Sequence, residues 1–112
     1  METKDAVKSL SALAQETRIA IYRLLVQQGP EGLPASMLAE MLDLPNATFS
    51  FHVKELSQAG LVTARQAGRF IYYAANYATM NDLVGYLTEN CCDGQACGIE
   101  AVAAKTPRRK SA

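Results

Sequence analysis

The chain has 112 residues, 49% of them hydrophobic, and its 11 lysines and arginines balance its 11 aspartates and glutamates. This length suits one domain with a core of its own, and it is shorter than most enzymes. The balanced charge gives no overall sign of a nucleic-acid partner. No apolar run is long enough to span a membrane, and the first residues lack the apolar segment of a secretion signal, so we expect a cytoplasmic protein with no membrane partner.

The first 42 residues predict three helices separated by residues that break helices. We expect these helices over residues 4–13, 16–27 and 35–42. Gly29 and Pro30 end the second helix, and Pro34 begins the third. Apolar residues at helical spacing define the sides that we expect to be buried, which are Ile19, Ile21, Leu24 and Leu25 in the second helix and Leu38 with Met41 or Leu42 in the third.

A tight turn at residues 43–44 leads into a fourth helix, which begins at Pro45 or Asn46 and runs to Gln58, before Gly60. The predicted buried side of this helix consists of Phe49, Val53 and Leu56. A short helix, a tight turn and a second helix held by its apolar side form a helix-turn-helix. In that motif the opposite side of the second helix enters the major groove of DNA.

Two β-prone runs, residues 61–65 and 70–74, flank a connection that contains a glycine, and this pattern predicts a β-hairpin. Asn76 is a suitable N-cap for a last helix. The apolar stripe of that helix consists of Met80, Leu83, Val84 and Leu87, and the same spacing continues to Cys91. The order of elements therefore predicts a mainly α protein with a β-hairpin, a winged helix-turn-helix.

The outward side of the fourth helix carries the residue types that read base edges. Asparagine can pair with adenine, a hydroxyl group can bond to either a donor or an acceptor on a base edge, and alanine or phenylalanine can touch a thymine methyl group. We expect Lys54 to meet a phosphate, Arg69 at the hairpin tip to reach the minor groove, and Arg65 to lie near the DNA backbone. The predicted DNA-binding residues are Asn46, Ala47, Thr48, Ser50, Phe51, Lys54, Arg65 and Arg69.

Other interpretations of the same residues stay open. Thr48 and Ser50 suit a solvated helix surface equally well, and Phe51 suits a protein contact, since some winged helices bind proteins. His52, the single histidine, lies beside the buried side of the fourth helix. We expect it to be a hydrogen-bonded structural residue and not a metal ligand.

All three cysteines, Cys91, Cys92 and Cys97, fall within seven residues near the end of the last predicted helix. Their odd number and the expected reducing compartment argue against a disulfide framework. Trivalent arsenic and antimony bind three sulfurs in a pyramid, and Gly94 and Gly98 allow the chain to fold back so that Cys97 reaches the same atom. The cluster thus predicts a metal site for As(III) or Sb(III).

Three alternatives to a metalloid site remain. Zinc would need a fourth ligand, such as Asp93, Glu89 or water, and cadmium or lead could also use three sulfurs. A disulfide from Cys97 would make a redox switch, although the negative end of a helix disfavours the thiolate. The cysteines could also be incidental to an inert tail. An enzyme is not expected, because the chain has neither an anion loop around a cysteine nor a CxxC at a helix N-terminus.

Four segments, residues 13–25, 44–56, 59–62 and 68–73, resemble the ArsR/SmtB family of bacterial metal-responsive repressors. The resemblance covers residues 8–90. It implies a homodimer that is built from the first and last helices and binds a palindromic operator in double-stranded DNA. Release of the operator would follow binding of a metal or metalloid inducer, and no catalytic cofactor is implied.

The sequence departs from that family at positions that concern the base contacts and at positions that concern the inducer. Pro45 replaces the usual capping serine, and Phe51 replaces a polar or basic residue. The third helix has no cysteine, and no histidine follows Asp82 in the last helix, so two known metal-site patterns are missing. The cysteine cluster is similar to that of family members that sense arsenite from the end of the last helix.

These observations predict three parts of the chain. Residues 1–90 would form the winged helix-turn-helix domain for DNA binding and dimerisation, residues 91–98 the cysteine-rich metalloid-binding segment, and residues 99–112 a tail that is disordered at its end. The expected function is an arsenite- or antimonite-responsive transcriptional repressor. A repressor that responds to cadmium, lead, zinc or thiol oxidation is the alternative.

Overall fold

The computed structural model describes residues 1–91, and these residues adopt the predicted winged helix-turn-helix. Within this part of the chain no helix is long and apolar enough to cross a membrane. The elements in chain order are α1 (Thr3–Leu13), α2 (Glu16–Gln28), β1 (Leu33–Pro34), α3 (Ala35–Met41), α4 (Asn46–Gln58), β2 (Val62–Ala67), β3 (Phe70–Ala75) and α5 (Tyr77–Thr88).

The helix-turn-helix consists of α3 and α4, joined by the predicted tight turn. Asp43 adopts a left-handed backbone conformation with φ of 55°, and the Leu44 N–H donates to the Ala39 carbonyl at 2.9 Å. The three apolar residues expected to hold α4 are all buried, with exposed fractions of 3% or less. The prediction for this helix is confirmed, and its opposite side therefore faces solvent.

The core lies where α2, α3, α4 and the sheet meet, and one predicted core residue, Ile19, is outside it. Ile21, Leu25 and Leu38 are fully buried, but Ile19 is 44% exposed and Met41 54% exposed. Ile19 precedes Ile21 by two residues, about 200° around an α-helix, so the two side chains point in nearly opposite directions. Of the two predicted alternatives Met41 and Leu42, it is Leu42, directly after α3, that packs against the core.

The sheet has a third strand that the sequence did not predict. β1 pairs antiparallel with β3, with Leu33 opposite Tyr73, so the strand order is β1-β3-β2. The connection between β2 and β3 is also shorter than expected, because Ala67 pairs with Phe70 and leaves only Gly68 and Arg69 in the turn. Gly68 has φ of 63°, a conformation that a two-residue hairpin loop requires of glycine or asparagine.

Gly32 allows β1 to approach β3 closely. Its φ is 76°, and a Cβ atom on it would lie 2.8 Å from the carbonyl carbon of Tyr73 and still closer to the carbonyl oxygen. Only a residue without a side chain fits this position. The additional strand therefore depends on one glycine in the loop after α2.

Asn76 joins three elements through its backbone and its side chain. The Asn76 N–H donates to the Leu61 carbonyl at 2.8 Å, and its Nδ2 donates to the Gly60 carbonyl at 3.0 Å. Its Oδ1 accepts from the Thr79 N–H at 3.3 Å, which confirms the predicted N-cap of α5. The end of α4, the start of β2 and the start of α5 are thus held together.

The last helix ends earlier than the apolar spacing predicts. α5 stops at Thr88, Glu89 is extended with φ of −63° and ψ of 141°, and Asn90 is left-handed with φ of 57°. Cys91 therefore follows the helix and does not extend its stripe, so that prediction is wrong. Asparagine tolerates the left-handed conformation that commonly ends helices.

Tyr22 has a buried hydroxyl group with no hydrogen-bond partner among the described residues. Burial, and to a smaller extent repulsion from Tyr77, raises the pKa of Tyr22 above its ordinary value of 10.0. The folded state holds this proton more tightly than the unfolded state. The resulting contribution to the free energy of unfolding is present below pH 10 and is lost as the pH rises through the folded-state pKa. Tyr22 thus stays neutral near pH 7.

We expect Tyr22→Phe to leave the free energy of unfolding unchanged or to raise it by about 1 kcal/mol, because a buried hydroxyl without a partner is destabilising. Urea unfolding at pH 7 measures the change. The matched control is Tyr77→Phe, which removes a hydroxyl that donates to the Val26 carbonyl at 2.9 Å and should cost about 1 kcal/mol. A loss of stability in Tyr22→Phe as large as in the control would contradict the prediction.

Candidate nucleic-acid interface

The solvent-facing side of α4 presents the six residues that the sequence predicts for base and phosphate contacts. All six are exposed, and they are Asn46, Ala47, Thr48, Ser50, Phe51 and Lys54. Pro45 precedes the helix, and no side chain of the described residues caps its first N–H groups. Uncapped N–H groups at a helix N-terminus favour an anion such as a phosphate. The face can therefore offer base-reading side chains and phosphate donors together.

The two arginines of the hairpin have different surroundings. Arg69 lies in the two-residue turn and is exposed. The Arg65 side chain contacts its own chain, since Nη2 donates to the Glu31 carbonyl at 3.0 Å and the guanidinium lies 4.7 Å from the centre of the Tyr72 ring. These contacts hold the hairpin against the loop after α2, a role that the sequence did not predict for Arg65.

A cluster of three side chains joins α2 to α4. Arg18 Nε donates to His52 Nδ1 at 3.1 Å, and the Arg18 guanidinium lies 5.6 Å from the centre of the Phe51 ring. The Phe51 and His52 rings meet edge to face at 5.3 Å. His52 is thus a half-buried, hydrogen-bonded residue, as the sequence predicts. Arg18 itself was missed, because a contact across 34 residues leaves no periodic signal in the sequence.

Of the three predicted sulfur ligands, only Cys91 is within the part of the chain that the structure describes. It is half-buried and follows the left-handed Asn90. Cys92, Cys97 and the predicted tail at 99–112 lie outside the described residues. Within residues 1–91, no group of three or more histidine, cysteine or acidic side chains could hold a metal ion.

This fold, with its exposed helix face, is that of winged helix-turn-helix regulators of transcription and not that of an enzyme. A family described as a helix-turn-helix domain matches residues 13–65. The arsenical resistance operon repressor of Bacillus subtilis is 31% identical over 85 residues, which are 76% of this chain and 77% of that protein. The chain belongs to the ArsR family of transcriptional repressors.

Further relatives agree with this assignment. A Halobacterium salinarum protein, named as a candidate arsenical resistance operon repressor ArsR, is 41% identical over 64 residues, 57% of this chain but only 49% of that protein's length. A cadmium resistance regulatory protein, a CadC homolog of Staphylococcus aureus, is 29% identical over 80 residues, 71% of this chain and 64% of that one. The solved structure of an ArsR-like regulator from Rhodococcus is 31% identical with a TM-score of 0.67, over 75% of this chain and 76% of that one.

Proposed function

We propose that this protein is an arsenite- or antimonite-responsive repressor that binds operator DNA as a homodimer. As(III) or Sb(III) would bind Cys91, Cys92 and Cys97 and release the dimer from the operator. The observation that carries the proposal is the position of these cysteines, which are the whole cysteine content of the chain and begin three residues after α5 ends at Thr88. Relatives whose names include arsenical resistance support the choice of inducer.

The exposed face of α4 supports the DNA contact. In this arrangement α4 lies in the major groove, with its polar N-terminal residues at base edges and Lys54 at a phosphate. Arg69 projects from the hairpin turn toward the neighbouring minor groove. The apolar side of α4 is buried against the core, so the helix is held in a fixed orientation relative to the hairpin.

An apolar surface on α1 and α5 supports the homodimer. The two helices pack together, and the hydroxyl groups of Thr3 and Tyr86 form a hydrogen bond between them. Val7, Leu10 and Leu87 on these helices remain 55%, 43% and 56% exposed. A two-fold dimer would cover these side chains and place two copies of α4 about 34 Å apart, one turn of DNA.

Three thiols match the chemistry of trivalent arsenic and antimony. Neutral arsenous acid exchanges its three hydroxyl groups for three thiols and releases three water molecules, so arsenic stays trivalent and no oxidant or reductant is needed. The product carries no net charge, which removes the need for a neighbouring cation. Cysteine is also the ligand type that soft metal ions prefer.

The position of Cys91 suggests how the inducer acts on DNA binding. Cys91 is three residues from the end of α5, a helix of the proposed dimer surface. Drawing Cys91 and its two partners onto one atom would move that end and change the distance between the two recognition helices. A coupling free energy of about 1–3 kcal/mol is typical of such regulation and is enough to release the operator.

We expect Cys97→Ser to abolish release by arsenite while operator affinity without arsenite stays unchanged, because the hydroxyl group cannot replace the third thiolate. Fluorescence anisotropy of labelled operator, titrated with arsenite under reducing conditions, measures both quantities. Unmutated protein provides the reference. Release of the mutant from the operator at the same arsenite concentration as the unmutated protein would exclude Cys97 as a ligand. Loss of operator binding by the mutant without arsenite would contradict the separation of sensing residues from DNA-binding residues.

A repressor that responds to another soft metal ion or to thiol oxidation is the second candidate function. The similarity to a cadmium resistance regulator favours it, and Glu89, at the end of α5, could supply an additional oxygen ligand. Titration of the same DNA complex with cadmium, lead, zinc and peroxide distinguishes the candidates. Release by one of these, with none by arsenite or antimonite, would replace the first proposal by the second.

The two hairpin arginines should differ in their effect on DNA binding. Arg69→Ala should weaken operator binding and reduce the slope of log affinity against log salt by about 0.9 for each phosphate that the arginine neutralises. Arg65→Ala should reduce the salt slope less than Arg69→Ala, because the Glu31 carbonyl and the Tyr72 ring hold its guanidinium on its own chain. Equal changes of slope in both variants would contradict this division of roles.

A further inference from the structure

Phe51 is distinguished from the rest of the exposed face of α4 by how its ring is held. The ring is 56% exposed, although most of the other residues on that side are polar or charged. The Arg18 guanidinium lies 5.6 Å from the ring centre, within the range of a cation–π contact. The His52 ring contacts the same ring edge to face. Two neighbours thus fix the orientation of a ring that is still open to a partner.

Arg18 is committed to the protein by hydrogen bonds of its own. Nε donates to His52 Nδ1 at 3.1 Å, and Nη1 donates to the Ala12 carbonyl at 3.5 Å. The side chain is half-buried and begins in the first turn of α2, where the backbone N–H of Arg18 donates to Gln15 Oε1 at 3.0 Å. Hydrogen bonds from Nε and Nη1 therefore hold the guanidinium in place beside the Phe51 ring.

We propose that Arg18 is a positioning residue for base recognition, which holds the Phe51 ring against the 5-methyl group of a pyrimidine in the major groove. The inference rests on the proposed insertion of α4 into operator DNA and adds a specificity determinant that lies outside α4. The ligand group is the methyl of thymine, which is exposed in the major groove and is contacted by apolar side chains. Uracil lacks this methyl group but pairs identically.

The test uses duplex DNA selected by the unmutated protein from a random-sequence pool. Thymines are replaced by deoxyuridine at one position at a time, in both half-sites, and affinity is measured by fluorescence anisotropy. Burial of one methyl group corresponds to about a four-fold change in affinity, so two symmetric half-sites should give about 15-fold at one position. At that position Phe51→Ala should bind thymine and uracil DNA equally.

Arg18 variants then test the positioning role itself. Arg18→Ala and Arg18→Lys should both lose the preference for thymine at that position, since lysine keeps the charge but has no planar fork. Arg18→Lys should keep the salt slope of the unmutated protein. Arg23→Ala removes an exposed arginine of the same helix and should leave the thymine preference intact. If Arg18→Ala does not fold, Arg18→Lys and Phe51→Ala still decide the outcome.

Several results would overturn the inference. A thymine preference that survives in Phe51→Ala would show that another residue contacts the methyl group. A thymine preference that survives in both folded Arg18 variants would show that Arg18 does not position Phe51. A fall in salt slope with an unchanged thymine preference would indicate that Arg18 contacts a phosphate instead. Failure of the unmutated protein to select any DNA sequence would instead overturn the proposed function, so the two failures are distinguishable.

Discussion

Replacement of Gly32 by alanine is expected to lower the free energy of unfolding by about 3 kcal/mol or more, a large part of the 5–15 kcal/mol typical of a domain. A left-handed alanine costs about 1–2 kcal/mol by itself. The new Cβ would in addition collide with the backbone carbonyl group of Tyr73. That carbonyl belongs to a paired strand and cannot move away without breaking the pairing of β1 with β3. Urea unfolding followed by circular dichroism measures the loss.

Gly68→Ala is the matched control for this substitution. Gly68 has a similar φ of 63°, but a Cβ atom there would have no neighbour within 4 Å. The control should therefore show only the conformational cost of about 1–2 kcal/mol. Equal losses in the two variants would mean that β3 yields to the added methyl group, and the close approach of Gly32 to Tyr73 would then have no special importance for stability.

Leu87→Glu is expected to weaken dimerisation at least about 100-fold, because an unpaired charge in a buried interface costs about 3–5 kcal/mol. In a two-fold symmetric dimer the same surface of both subunits forms the interface, so two glutamates would be desolvated there. Leu87 is 56% exposed in the single chain, so the substitution should not unfold it. Sedimentation velocity at micromolar concentration should show a monomer, and operator affinity should fall because only one half-site is held.

Ile19→Glu serves as the control for the dimer surface. Ile19 is also an exposed apolar residue, at 44%, but it lies on α2, which is not one of the two helices of the proposed dimer surface. This variant should remain a dimer. If Leu87→Glu stays dimeric as well, the α1–α5 surface is not the dimer interface. If both variants become monomers, the interface includes α2.

The sequence predicted those elements whose signals are local and repeated. In α4 the spacing of Phe49, Val53 and Leu56 identified the buried side, and Asn76 identified the start of α5. Each of these signals depends on residues a few positions apart, which one helical turn brings together. The outward residues of α4 followed from the same periodicity, and their roles in DNA binding remain predictions.

Features that depend on contacts between distant segments could not be predicted in this way. β1 has only two residues, one of them a proline, and it forms because β3 offers a partner. The cation–π contacts of Arg18 with Phe51 and of Arg65 with Tyr72 form only when separate elements pack together. The end of α5 at Thr88 was not predicted, although the apolar spacing continues to Cys91. Periodicity shows which side of a helix is buried but not where the helix stops.

Hydrogen bonds from Asn76 to Gly60 and Leu61 fix the start of α5 on the domain that carries α4. The 12 residues of α5 span about 18 Å, and the three cysteines follow this helix in the sequence. In the proposed dimer, a tilt of α5 would leave α4 in place within its own subunit and would displace the partner subunit as a body. The inducer would therefore change the distance between the two α4 helices of the dimer without changing either helix or its side chains. Each half-site should then be recognised as well with the inducer as without it, and only the permitted distance between half-sites should change.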